Sequence, residues 1–294
     1  MSRGAVNEFA PAKVNLTLAV GPAGADGYHP LDSLVVFADW GDAISVGEGD
    51  GLSLQLKGPG ADSLKAEPKN LVLKAAYALR AAVERPDLSA SIVLDKTLPV
   101  AAGLGGGSVD AAAALRALAR FWELDLSRKQ LAEIGSVVGS DVPACVHSRP
   151  LRMTGRGERI APLVAWPGLD AVIANPGVPV ATKDVFEAYD ATGPQILAQT
   201  PPPAAGTVEQ ALDWIAAGAN HLQPSALHLE PAIAESLKAL RALQGCRLAR
   251  MSGSGASCFA PFDDERAARA GADALSAARP HWIVRPVHLA GAVA

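Results

Sequence analysis

Cysteine is scarce in this chain: three in 294 residues, at Cys145, Cys246 and Cys258, with no CxxC spacing. That pattern excludes a disulfide framework and a thiolate metal cage, and leaves small apolar side chains in a reducing compartment. Basic residues are outnumbered, 26 Lys and Arg against 30 Asp and Glu for a net charge of −4. No basic run occurs, so bulk electrostatics offers nothing to DNA or RNA. No uninterrupted apolar run is long enough to span a bilayer. Met1-Ser2-Arg3-Gly4 leads into no signal-peptide core. The expectation is a soluble cytoplasmic protein with neither a nucleic-acid nor a membrane partner. Internal repeats are lacking too, and the oligomeric state, monomer or homodimer, stays open.

The length favours two domains, divided near residues 160–168; the expected spans are 1–162 and 163–294. Strands are expected at 8–20, 34–38, 42–46, 52–56, 90–94, 172–174 and 282–284 from apolar alternation and β-branched content. Helices are expected at 70–83, 108–121, 127–138, 182–189, 208–216, 231–243 and 265–278. Residues 191–206, rich in proline, alanine and glycine, read as a mobile insertion.

Between the strand at 90–94 and the helix from 108 lies Pro99-Val100-Ala101-Ala102-Gly103-Leu104-Gly105-Gly106-Gly107-Ser108. Four glycines fall within five positions. Glycine accepts positive φ and lets backbone approach a ligand, and a helix start carries unpaired N–H groups and a positive dipole end. A strand, a glycine turn and a helix start make an anion cradle, for which phosphate is the natural occupant. Ser108 stands where an N-cap belongs. Two familiar phosphate motifs are absent. No lysine closes a GxxxxGK[ST], and the residue three after Gly105 is Ser108, so GxGxxG fails as well.

Other residues carry two readings each. Lys13 and Asn15 share one face of the first strand; a lysine there either looks into solvent from an edge or needs a buried partner. Tyr28 and His29 fall in a turn-rich loop at 21–30. Asn70 opens a helix and Asp141 or Ser140 opens a short one through Pro143, both as caps on the pattern alone. Thr182 stands as a cap of its helix in the same way.

The glycine stretch, read as Pro-x-x-x-Gly-Leu-Gly-Gly-Gly-Ser-x-Asp-Ala-Ala, resembles the phosphate motif of the GHMP kinases, small-molecule kinases named for galactose, homoserine, mevalonate and phosphomevalonate. Pro11-Ala12-Lys13-Val14-Asn15-Leu16 and Ser252-Gly253-Ser254-Gly255-Ala256-Ser257 match two further motifs of that family. Asp26-Gly27-Tyr28-His29, Gly155-Arg156-Gly157-Glu158 and Gly139-Ser140-Asp141-Val142-Pro143 are similar to the members that act on a substrate bearing a cytidine diphosphate group. The likeness runs from about Phe9 to Phe259.

The resemblance implies an α+β, two-domain fold, the N-terminal domain ribosomal protein S5 domain 2-like and the C-terminal one ferredoxin-like. It implies ATP and Mg2+ as cofactors. Asn70 would lie by the adenine; Pro99, Ala101, Ala102, Gly103, Leu104, Gly105, Gly106, Gly107 and Ser108 would hold the phosphates, with the Ser108 hydroxyl sharing the metal. Asp141 would be the catalytic carboxylate and Lys13 its cationic companion. Asn15, Tyr28, His29, Asp141 and Thr182 would meet the substrate, Tyr28 stacking on a cytosine and His29 bonding its edge. Another kinase of the family, or a nucleotide-binding module without turnover, are the rival readings. Asn220-His221-Leu222 departs from the family's usual Asn-Asp-Leu, which leaves the role of that turn open.

Overall fold

The structure, a computed structural model, describes residues 4–64, 70–193 and 206–290. The expected insertion at 191–206 therefore lies almost wholly outside the described residues. The chain forms two compact units that interleave in sequence: unit 1 takes 1–12, 40–100 and 105–148, unit 2 takes 13–39, 101–104 and 149–294. Interleaving arises because two long strands, β1 (Val6–Val20) and β2 (Leu31–Gly47), pass from one unit into the other. The two strands expected at 34–38 and 42–46 are one. The bridging glycine explains it: a Cβ on Gly41 would stand 2.2 Å from the Ala10 carbonyl oxygen, so only glycine lets β2 run on against β1 there.

In unit 1, β3 (Leu52–Lys57) lies parallel to β4 (Ala90–Asp95), and β4 pairs antiparallel with the second half of β2, from Ala43 opposite Asp95 to Gly47 opposite Ser91. Ala90, Ile92 and Leu94 alternate into the core. The helices are α1 (Ala61–Leu64), α2 (Leu71–Ala82), α3 (Gly106–Phe121), α4 (Arg128–Ser136) and α5 (Val142–His147). α3 is buried on every side from Val109 to Ala119, as its run of alanines allows, and α2, α4 and α5 pack around it. Ser127 caps α4 in a reciprocal box with Gln130.

Asn70 caps α2, its side-chain oxygen accepting from the Val72 amide at 2.8 Å. Asn70→Ala should lower stability by about 1 kcal/mol, read as a lower denaturant midpoint at unchanged slope. An unmoved midpoint would show that the cap bond contributes nothing.

Unit 2 contains β5 (Leu151–Gly155), β6 (Arg159–Pro162), β7 (Leu169–Asn175), α6 (Thr182–Asp190), α7 (Val208–Ala217), α8 (Gln223–Leu229), α9 (Ala232–Arg241), β8 (Arg250–Met251), β9 (Cys258–Pro261), α10 (Glu265–Ala278) and β10 (Ile283–Ala290). β10 pairs along the whole of β7 and meets β2 at Leu289 opposite Ala38; β7 continues to β9 and β9 to β8. The first half of β2 pairs with β5, and β5 with β6. Ile233, Leu237, Leu240, Phe262, Leu275 and Val284 close one core over this sheet. Cys145 and Cys258 are buried and Cys246 half-buried, all free thiols. Among the described residues no helix is long and apolar enough to cross a membrane.

Candidate active site

The glycine stretch divides between the units. Its first part, 101–104, belongs to unit 2 and is tied there at three points. The Lys13 amide donates to the Leu104 carbonyl at 2.9 Å and the Ser257 amide to the Ala102 carbonyl at 3.0 Å. The Ser252 hydroxyl donates to the Gly103 carbonyl at 2.9 Å and itself accepts from the Asn15 amide at 3.1 Å. Three motifs far apart in sequence thus meet in unit 2: the one with Lys13 and Asn15, the glycine turn, and the Ser252–Ser257 turn. Ala101, though not glycine, sits at φ +53°, a conformation that costs a non-glycine residue free energy.

Asn15 is almost fully buried. Its side-chain nitrogen donates to the Ser33 hydroxyl at 2.8 Å, while its oxygen has no hydrogen-bond partner among the described residues. A buried acceptor left open is costly and is what a ligand hydroxyl would satisfy. Lys13 is also buried at 5% exposure. An edge-strand lysine in solvent is therefore ruled out.

The second part of the stretch, from Gly105, belongs to unit 1, and here one expectation is corrected. Ser108 is not the cap of α3. The helix starts two residues earlier, with Gly105 as cap at φ 65°, ψ 21°, a left-handed conformation that glycine takes without cost. The Ser108 and Val109 amides both turn back to the Gly105 carbonyl at 2.9 Å. Gly106, Gly107 and Ser108 therefore form the first turn, the place where a helix offers amides to an anion. Asp141 opens α5, which packs on α3 and α4. It occupies the cap position, yet its side chain makes no cap bond, and Pro143 in the first turn starts the helix instead.

Thr182 is corrected likewise. Ala181 holds the cap position of α6, and Thr182 is the first helical residue; its hydroxyl lies 2.9 Å from that of Ser254, on the same glycine-serine turn. Asn220 belongs to this turn as well, donating from its side chain to the Met251 and Gly253 carbonyls at 2.8 Å each. His221 accepts from the Val20 amide at 3.1 Å. The Asn220-His221 turn thus anchors backbone within unit 2.

Tyr28 and His29 part company in the structure. Tyr28 is 56% exposed, with the Arg156 guanidinium 4.7 Å from its ring centre and Asp26 pairing with Arg156. His29 turns inward, its ring 4.8 Å from that of Phe186. Its Nδ1 meets the Gly21 carbonyl at 2.9 Å. A carbonyl only accepts, so Nδ1 carries a proton; Asp190 lies 3.5 Å from Nε2. Phe186 and Arg156, the neighbours of His29 and Tyr28, were not singled out as candidate site residues. Arg156 stood in a noted motif, whereas nothing local distinguishes Phe186 from a core aromatic on α6.

Known proteins resemble this chain over nearly its whole length. The family described as "GHMP kinases N terminal domain" matches residues 70–149, and "GHMP kinases C terminal" matches 204–281. The chain is 50% identical over 290 residues to a 4-diphosphocytidyl-2-C-methyl-D-erythritol kinase of Rhodopseudomonas palustris, covering 95% of each. It is 47% identical over 285 residues to the enzyme of that name in Parvibaculum lavamentivorans, covering 95% of this chain and 96% of the other. A crystal structure of 4-(cytidine 5'-diphospho)-2C-methyl-D-erythritol kinase superimposes with a TM-score of 0.77 at 33% identity, covering 97% and 99%. A homoserine kinase from Cytophaga hutchinsonii shares the fold at a TM-score of 0.73 and 20% identity, covering 98% and 95%.

Proposed function

This chain belongs to the GHMP kinases, and from that premise we propose that it transfers the terminal phosphoryl group of ATP to the 2-hydroxyl of 4-diphosphocytidyl-2-C-methyl-D-erythritol, a step toward isoprenoid precursors. The observation that carries the reading is the 50% identity, over 95% of both chains, to a relative bearing that substrate's name. The cytidine half of the substrate suits the loop at 21–30. Tyr28 offers an open ring to stack on a pyrimidine, and the His29 ring can hydrogen-bond the edge of the base.

Phosphoryl transfer needs positioning and charge stabilisation more than covalent chemistry. The amides of Gly106 and Gly107 receive the phosphates, with the Ser108 hydroxyl beside them. Asp141 accepts or orients the proton of the attacking hydroxyl. The Lys13 ammonium offsets charge that develops in transfer. Asn15 offers its open acceptor to a substrate hydroxyl. The single hard oxygen of Ser108, in the first turn of α3, fits Mg2+, a cation that takes most of its ligands from phosphate and water. Bound there, the metal would neutralise charge on the phosphate oxygens. Among the described residues no cluster of three His, Cys, Asp or Glu could cage a metal by itself.

A transfer assay with ATP and a panel of alcohols tests the reading. Phosphorylation of the cytidine diphosphate substrate, with homoserine and mevalonate untouched, is the expected result. Turnover of homoserine or mevalonate alone would replace the substrate, and binding of ATP without transfer to any alcohol would replace the enzyme with a binding module. Tyr28→Ala should raise KM for the cytidine substrate about tenfold, the equivalent of one lost stacking contact, with KM for ATP unmoved. A rise confined to ATP would move Tyr28 to the nucleotide pocket.

A further inference from the structure

The glycine turn has no lysine of its own, yet unit 1 brings one beneath it. Lys96 follows β4 and reaches under the first turn of α3, where a Cβ on Gly106 would stand 3.0 Å from its Nζ. Its stem passes Gly60, where a Cβ would fall 2.6 Å from Lys96 Cγ. The ammonium is 2% exposed and held by two carboxylates, Asp42 at 2.6 Å and Asp110 at 2.7 Å. Asp42 is committed on its other oxygen as well, accepting from the Thr97 and Leu98 amides at 2.5 and 2.7 Å. The other oxygen of Asp110 is buried with no hydrogen-bond partner among the described residues.

A buried ion cluster of this kind is a poor source of net stability. Burial pushes the Asp110 carboxyl well above the usual carboxylate range, while Lys96 pulls it down and Asp42 raises it further. Burial works against the Lys96 ammonium too, but the carboxylates of Asp110 and Asp42 outweigh it and keep the lysine charged. In this dry setting water screens the ammonium little, and what offsets its pull on the turn above is the pair of carboxylates that hold it; the ammonium itself acts in the same sense as the helix dipole. Asp110, one turn into α3, acts in the opposite sense.

We infer that Lys96 is a positioning residue for the nucleotide phosphates: its buried ammonium, fixed under Gly106 by Asp42 and Asp110, supplies the positive charge that the turn itself lacks. This rests on the kinase reading and extends it to a side chain that touches no substrate. The two carboxylates facing Lys96 have different uses. Asp42 anchors the lysine to β2 and to the loop after β4. Asp110 subtracts from the charge that the phosphates meet.

Calorimetric titration of the full chain with ATP and with adenosine tests it, alongside thermal melting. Lys96→Met should weaken ATP by about tenfold or more and leave adenosine, which has no phosphates, within about twofold. Loss of both in step would mean a structural role only and overturn the inference, as would unchanged ATP affinity. Should Lys96→Met fail to fold, Asp110→Asn decides. It keeps shape and keeps Lys96 on Asp42. The variant should bind ATP about threefold more tightly than the wild type, by a margin that widens as the pH rises and the wild-type Asp110 loses its proton. Equal or weaker binding would overturn the inference. If the wild-type protein binds no ATP at all, the kinase reading fails first and takes this one with it.

Discussion

Asp141→Asn should lower kcat by roughly 10²–10⁴-fold, the range of a lost proton-transfer group, and leave KM for ATP within about threefold. The substitution preserves shape and removes the ability to accept a proton. It should leave the start of α5 in place, because the Asp141 side chain makes no cap bond there and Pro143 starts that helix. Melting temperature and ATP affinity are therefore the internal controls. A loss of kcat with both intact assigns Asp141 to the chemical step. Turnover near wild type would remove Asp141 from the mechanism.

Much of this site was legible in the sequence because it is built from local chemistry. A glycine run between a strand and a helix announces backbone close to an anion, and the structure has that turn. Asn70 and Ser127 announce helix starts, and both cap. The start of α3 was misread because Ser108 is a better cap by side chain, whereas Gly105 wins by backbone: at φ 65° it accepts the turn that lets the helix begin earlier. Thr182 was misread in the same way, since its hydroxyl finds Ser254, 72 residues away, before its own backbone. Long-range pairing of that kind is invisible to a local pattern. So is the reach of Lys96 to Asp42 across 54 positions, and so is Phe186 beside His29. Helix α8 escaped because seven residues opened by Pro224 are too few to show a period.

Gly103→Val should be among the most damaging single substitutions in the chain, while Gly107→Ala, four residues on in the same motif, should be tolerated. Gly103 sits at φ +73°, and a Cβ there would stand 2.3 Å from the Ser252 carbonyl oxygen and within 3 Å of Gly255 oxygen and nitrogen. All three are backbone atoms, which cannot step aside as a side-chain tip can. The left-handed conformation alone costs a branched residue about 1–2 kcal/mol, and overpacking adds about 1–3 kcal/mol. Relief means pulling residues 101–104 away from Ser252, Ser257 and Lys13, which breaks the bonds that hold those motifs together in unit 2. Against a total stability of about 5–15 kcal/mol, that loss should show as a melting point lower by many degrees and as turnover lost even in the folded fraction. Gly107 differs on each count. Its φ is ordinary, and a Cβ would meet only a Leu71 side-chain methyl at 3.1 Å. Alanine in a first helical turn gains up to about 1 kcal/mol over glycine, so Gly107→Ala should melt at or above the wild type. Equal melting points for the two variants would mean that the clash at Gly103 is absorbed, and that the stitching of the glycine turn to the Ser252–Ser257 turn does not hold the phosphate loop in shape.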